Sequence, residues 1–294
     1  MISYYGRFIY TLANKYVLTV NARTDGSSKY FPGGRWGFFP SIAGAWRMSE
    51  ENFLRNSKVV SDLKIRGSWG ITGQQEGIGF FEYIPRYTLS NNQGLYQLGN
   101  QFLTMARPAG YFDRLRWETT TNKNIGVDFG FFDNRISGSV EGFIRTTKDL
   151  LFTVSVPAGA NFSNQILQNI GTIENRGYEI TLNLVPIRNK DVEWNISANF
   201  THVVPEVTKL LDNPTPDFKG YNVGGIDGGT GNTIQVIRTG EAPRSFLVYK
   251  QVYDQNNKPI EGLYEDFNRD GIINEQDLYV YQLSLIHISE PTRQ

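Results

Sequence analysis

Within residues 266–277, oxygen-bearing side chains recur at the spacing of a calcium loop: Asp266-Phe267-Asn268-Arg269-Asp270-Gly271-Ile272-Ile273-Asn274-Glu275-Gln276-Asp277. Asp266, Asn268 and Asp270 stand where side-chain oxygens converge on a hard cation. Gly271 permits the sharp turn, Ile272 offers its backbone carbonyl, and Asn274 ligates directly or through water. Asp277 closes the loop where a longer Glu is usual. Its shorter arm makes two-oxygen ligation harder, which points to weak affinity of ~10⁻⁴–10⁻³ M. The chemistry on offer is structural: a Ca2+ that orders an extracellular loop. An ion-free turn rich in Asn and Asp satisfies the same letters. Catalysis needs an open coordination position and a poised base, and neither is visible.

Little else in the chain reads as reactive. Cysteine is absent, so thiolate nucleophiles and cysteine metal sites are excluded. The two histidines, His202 and His287, cannot support thiol–His chemistry and make a His-based serine triad a poor reading. Carboxylates abound, yet nothing in the sequence brings two of them to one glycosidase-like site. The run Gly224–Gly231 has no adjoining Lys and no strand-to-helix context, so it reads as a flexible surface loop rather than a phosphate cradle. Basic and acidic residues balance at 29 each, which gives no reason to expect a nucleic-acid partner.

The elements that must position these residues alternate with period two. Ile125, Val127, Phe129 and Phe131 interleave with Asn124, Gly126, Asp128 and Gly130. A turn at Asp133-Asn134 leads into Ile136, Val140 and Ile144. Tyr178, Ile180, Leu182 and Leu184 repeat the pattern, as do Trp194, Ile196, Ala198 and Phe200 beyond a turn at 188–191. With runs around Tyr4–Leu12, Tyr16–Ala22, Trp36–Trp46 and Leu63–Ile71, about eight strands are expected, each long enough to cross a membrane when tilted. Short connections alternate with long ones at 25–35, 72–116 and 149–170, and from His202 onward. The expected class is all-β: an antiparallel up-and-down transmembrane β-barrel, present as a partial set of strands. A soluble β-sandwich also alternates, with shorter strands and more even connections. Tyr16, Trp36, Trp46, Trp69, Trp117 and Trp194 suit interfacial girdles. Tyr83, Tyr87, Tyr96, Phe102, Tyr111 and Phe112 lie in the longest loop, where they either meet a substrate or covering partner or pack the loop onto itself.

An ordered set of segments then resembles one family. Tyr4-Tyr5-Gly6-Arg7, Asp25-Gly26-Ser27-Ser28, Trp36-Gly37-Phe38-Phe39-Pro40-Ser41, Leu63–Gly73, Trp117-Glu118-Thr119-Thr120, Asn124–Asp128, Thr147–Leu151, Asn169-Ile170-Gly171 and Glu174–Glu179 are similar to the barrel of SusC/RagA-type TonB-linked outer-membrane transporters. The resemblance implies a large plugged barrel in the outer membrane of Bacteroidota, with outer-membrane lipid around it. It implies import of oligosaccharides, peptides or similar nutrients. The implied partners are a SusD-like surface lipoprotein acting as a hinged lid, and the TonB complex, which pulls on a plug not found in this sequence. No enzyme activity and no resident cofactor beyond the possible structural Ca2+ are expected.

Residues 1–282 are expected to form one barrel region with the calcium-like loop at 254–280. Leu283–Arg293 reads as the translation of a transposase adapter used in sequencing libraries, so 283–294 is expected to be an artefact. Met1 is expected to be internal to a longer chain whose export signal lies upstream. Two other readings compete with import: a non-transporting surface-binding or adhesin-like β-protein, and a soluble carbohydrate-active protein with a dockerin-like loop.

Overall fold

A computed structural model describes residues 1–89, 95–211, 214, 218–226 and 229–281. The segment 283–294, expected to be an artefact, lies outside them. The chain forms two compact units, Met1–Val204 and Pro205–Gln294.

Eight long strands build the main sheet: β1 (Ile2–Leu12), β2 (Tyr16–Gly26), β3 (Trp36–Arg47), β4 (Val60–Gln74), β5 (Glu118–Phe131), β6 (Ile136–Lys148), β7 (Thr172–Arg188) and β8 (Glu193–Lys209). They pair in sequence order into one antiparallel sheet. At 11–17 residues they match or exceed the ~9–11 needed to span a bilayer, so the longer ones project into the loops. The short turns are tight. Lys15 N donates to Leu12 O at 3.0 Å and Arg135 N to Phe132 O at 3.1 Å. Their central residues, Ala13-Asn14 and Asp133-Asn134, all have positive φ, the conformation whose twist matches a two-stranded ribbon. Asn and Asp adopt it readily; Ala13 does so at a cost. The connection between β3 and β4 carries a helical turn, with Arg55 N donating to Glu51 O at 2.8 Å. Its Glu51 accepts from Lys15 Nζ (2.7 Å), Tyr16 Oη (2.9 Å) and Trp46 Nε1 (3.1 Å), tying three chain segments together at the short-turn end.

Register sorts the side chains onto two faces. One face carries Leu18, Val20, Ile42, Trp69, Ile125, Val127, Val140 and Ile180, all exposed. The other carries Asn21, Ser41, Arg66, Asp128, Glu141 and Glu179, which are partly screened. A sandwich hides its apolar face under a second sheet. Here the apolar face is bare and the polar face holds the hydrogen bonds, which is the arrangement of a barrel wall between lipid and an aqueous lumen.

Beyond the long-loop ends, a cluster of Tyr30, Phe39, Ile78, Leu115 and Trp117 is buried. Trp117 is therefore not an interfacial girdle residue. It is 7% exposed, with its ring centroid 4.9 Å from Tyr30 and its Nε1 donating to Arg35 O at 3.2 Å. Sequence position near a strand end could not reveal the loop that folds over it. Trp36 and Trp194 stay more than half exposed, as a girdle requires. The Phe39 ring lies directly over Gly73 and Gly37, where any Cβ would collide with it.

The second unit holds a sheet of Tyr221–Ile226, Gly229–Ile237, Ser245–Val248 and Tyr279–Tyr281, plus the hairpin Gln251–Tyr253/Pro259–Tyr264. The expected long loop from His202 onward is thus partly strand. The glycine run is not a plain flexible loop either: Gly225 pairs with Thr233 across a bulged hairpin. Asp227 and Gly228 lie outside the described residues. Alternation is weak there because glycines replace the apolar set that would betray a strand.

Candidate functional site

Three groups of residues compete as functional sites. The first is the acidic loop 266–277. Asp266 Oδ2 accepts from Gly271 N (2.8 Å) and its Oδ1 from Asp270 N (3.2 Å). Asp270 Oδ1 accepts from Ile272 N at 2.8 Å and Asn274 Oδ1 from Gln276 N at 2.8 Å. Asp277 is fully buried, and its carboxylate accepts from Phe267 N (2.9 Å), Asn268 N (3.4 Å) and Asn274 N (2.8 Å). It also caps the short 3₁₀ turn Glu275–Asp277 reciprocally with Asn274. The six residues of the motif therefore share one compact loop. Their fit to a cation is partial. Asn268 Nδ2 donates to Asp270 Oδ2 at 2.8 Å, putting an amide nitrogen where a cation would require an oxygen. Among the described residues, no group of three or more His, Cys, Asp or Glu is arranged to hold a metal.

The backbone N–H of Asn274, foremost, holds the Asp277 carboxyl below its ordinary 3.8. A lowered carboxyl pKa contributes stability above the unfolded value and loses it as pH falls through the folded one. The loop is expected to hold above pH 3.8 and to open as pH falls further. Amide exchange at Phe267 and Asn274, followed against pH in the full-length protein, reads this directly. Equal protection at pH 3 and pH 6 would refute it.

The second group is the aromatic set of the longest loop, which the structure divides. Tyr83 and Phe112 pack against the Trp117 cluster. Tyr111 packs on Phe162 at 6.0 Å. Tyr87, Tyr96 and Phe102 stand 72%, 55% and 64% exposed on two small hairpins, Tyr87–Leu89/Ala106–Pro108 and Tyr96–Leu98/Gln101–Leu103. Only these last three are free to meet another molecule.

The third group escaped sequence reading. On the polar face, Lys64 Nζ lies 2.6 Å from Asp128 Oδ2, Arg66 Nε 3.1 Å from Asp128 Oδ1, and Arg66 Nη2 2.6 Å from Glu141 Oε2. This ladder crosses three strands, β4 to β6, and Glu141 directly faces Glu179 on β7. The signal was present as polar letters in the alternation, but the partners are far apart in sequence. Asn169 was missed as well. It is buried; it accepts from Arg116 N (2.8 Å) and donates to Arg116 O (2.8 Å) and Asp149 O (2.9 Å), stapling the hairpin Leu151–Ser155/Gln165–Asn169 to the longest loop. Asn169→Ala is expected to cost about 2–4 kcal/mol locally, since it strands buried backbone groups. Limited proteolysis of 149–170 measures it.

Comparison with known proteins agrees with this wall. A family model described as TonB dependent receptor-like, beta-barrel, matches residues 2–254. The TonB-dependent receptor SusC of Bacteroides thetaiotaomicron is 43% identical over 96% of this chain and 28% of its own length. A TonB-dependent receptor of Formosa agariphila is 37% identical over 87% of this chain and 23% of its own. Among solved structures, the RagAB peptide transporter superposes with a TM-score of 0.71 at 28% identity, over 86% of this chain and 26% of that one. The RagAB peptide importer in its "open-open" state gives 0.72 at 26% identity, over 96% and 28%. The chain thus spans under a third of these relatives. Sheet, faces and similarity converge: the chain belongs to the TonB-dependent receptor β-barrel family of the outer membrane, of SusC/RagA type, and not to an enzyme family.

Proposed function

We propose that this chain forms part of the wall and outer loops of a TonB-dependent importer of oligosaccharides or peptides that works with a SusD-like surface lipoprotein. The observation that carries the reading is the pairing of a bare apolar face with a polar face crosslinked by Lys64, Asp128, Arg66 and Glu141. A wall of that kind separates lipid from a water-filled path. Exposed Tyr87, Tyr96 and Phe102 supply flat apolar surface for a sugar ring, a peptide side chain or the lipoprotein. The test uses the full-length protein in its native cells. Labelled oligosaccharides and oligopeptides are offered to cells with and without this gene and with and without TonB. Uptake lost in both deletions supports import; surface binding that persists without TonB and never leads to uptake favours a binding protein instead. Co-purification of a lipoprotein with the tagged receptor, and its loss in Tyr96→Ser/Phe102→Ser, tests the lid contact.

The loop 266–277 is proposed as a weak Ca2+ site held by Asp266, Asn268, Asp270, the Ile272 carbonyl, Asn274 and Asp277. Its support is the shared compact loop in which Gly271 takes the positive φ that the turn requires. The expected result is protection of the loop from proteolysis by millimolar Ca2+, abolished in Asp266→Ala. Protection identical in Ca2+ and in chelator would refute it.

A further inference from the structure

The apolar face is not uniform. Rising from the short-turn end, β5 presents Phe131, Phe129, Val127 and Ile125, then Lys123 and Thr121. β7 presents Leu184, Leu182, Ile180 and Tyr178, then Arg176 and Glu174. Register places Trp69, Lys123, Ile144 and Arg176 in one row across β4 to β7. With strands tilted near 40°, that row stands roughly 20 Å above Phe131, near the outer border of an apolar band ≈ 25 Å tall. A cation on the lipid face is tolerated at this level and penalised below it.

Beneath the row lies a groove of about 720 Å³. Its floor is Gly142, above which there is open space, and register sets it between Ile125 and Tyr178. Trp69 and Ile144 wall it. Lys123, Arg176 and His202 stand on its rim. One carboxylate, Glu174, faces this rim: it pairs with Arg176 and accepts from Thr146 at 3.1 Å. Lys123 carries the second positive charge and acts electrostatically on the same carboxylate, so two cations face one anion and the rim is net cationic.

We propose that this groove seats an acyl chain of a phosphate-bearing lipid of the outer leaflet, with the phosphate held by Lys123 and Arg176. The apolar floor and the cationic rim lie at the depths where such a lipid has its chain and its phosphate. The bilayer itself supplies the occupant, since the chain belongs to an outer-membrane family. Nothing in the proposal depends on import.

The test is native mass spectrometry of the full-length receptor in detergent, with lipid A and phosphatase-treated lipid A as probes. The wild type is expected to retain lipid A and to bind the dephosphorylated form about tenfold less. Lys123→Ala/Arg176→Ala is expected to lose a similar factor for lipid A only. Gly142→Leu, which fills the groove and leaves both cations in place, is expected to weaken both probes. Equal retention of lipid A by wild type and the double variant overturns the proposal, as does equal retention of the two probes by the wild type. Uptake measured on the same variants stays at the wild-type level; a transport defect without a lipid defect would count against the lipid role while leaving import intact.

Discussion

Trp117→Ala is expected to cost about 3–5 kcal/mol, the range for emptying a buried indole site. The ring touches Tyr30 and meets Phe39 edge-on at 5.4 Å, and its Nε1 holds the carbonyl of Arg35. Its removal opens a void among residues from two loops and two strands, and takes away one of the two hydrogen bonds to the Arg35 carbonyl, which keeps only Ser27 N as donor. The damage is local, because the wall below is carried by backbone ladders that do not use the ring. Proteolysis of the full-length receptor is expected to cut within 27–35 and 75–116 while the strands remain protected. Trp117→Phe, which keeps most of the volume and loses the N–H, is expected to cost about 1–2 kcal/mol. Loops equally protected in Trp117→Ala and wild type would show that the cluster does not hold them.

Arg66→Met is expected to weaken the wall itself rather than the loops. The guanidinium bridges Asp128 and Glu141, and Glu141 directly faces Glu179. Without it, only Lys64 remains to offset a row of carboxylates across neighbouring strands. Arg66 is 34% exposed, so water screens the repulsion and the expected loss is about 1–3 kcal/mol rather than the full value for a buried pair. The loss should shrink in high salt and on Glu141→Gln in the same chain. A double-mutant cycle on the heat-unfolding of the detergent-solubilised receptor measures the coupling. Additive single effects would show that the ladder is ornamental.

The wall was legible in the sequence because its information is local. Ile125, Val127, Phe129 and Phe131 alternate with small and polar residues within a single strand, and period two needs no knowledge of partners. Turn residues such as Asp133-Asn134 were readable for the same reason. The acidic loop was readable as a loop, since the hydrogen bonds of its Asp and Asn side chains fall within 266–277. Trp117 was misjudged because its surroundings come from residues 30, 39 and 78. Arg66 and Asn169 were missed because polar letters reveal a bond only once register is known. The strands after residue 220 were hidden by glycine, which carries neither face. Resemblance gave the family, yet it could not separate Tyr83 and Phe112, which pack, from Tyr96 and Phe102, which project.

The Asp277 clasp also bears on the order of folding. Its most distant bond joins residues 10 apart in sequence, whereas the Arg66–Glu141 rung joins residues 75 apart. A ten-residue ring closes in about 10–100 ns, and the entropic barrier to closure grows with the logarithm of the separation. The clasp can therefore form and reform many times while the rungs of the wall are still searching for one another. It is expected to close early, independent of how slowly the long-range sheet assembles.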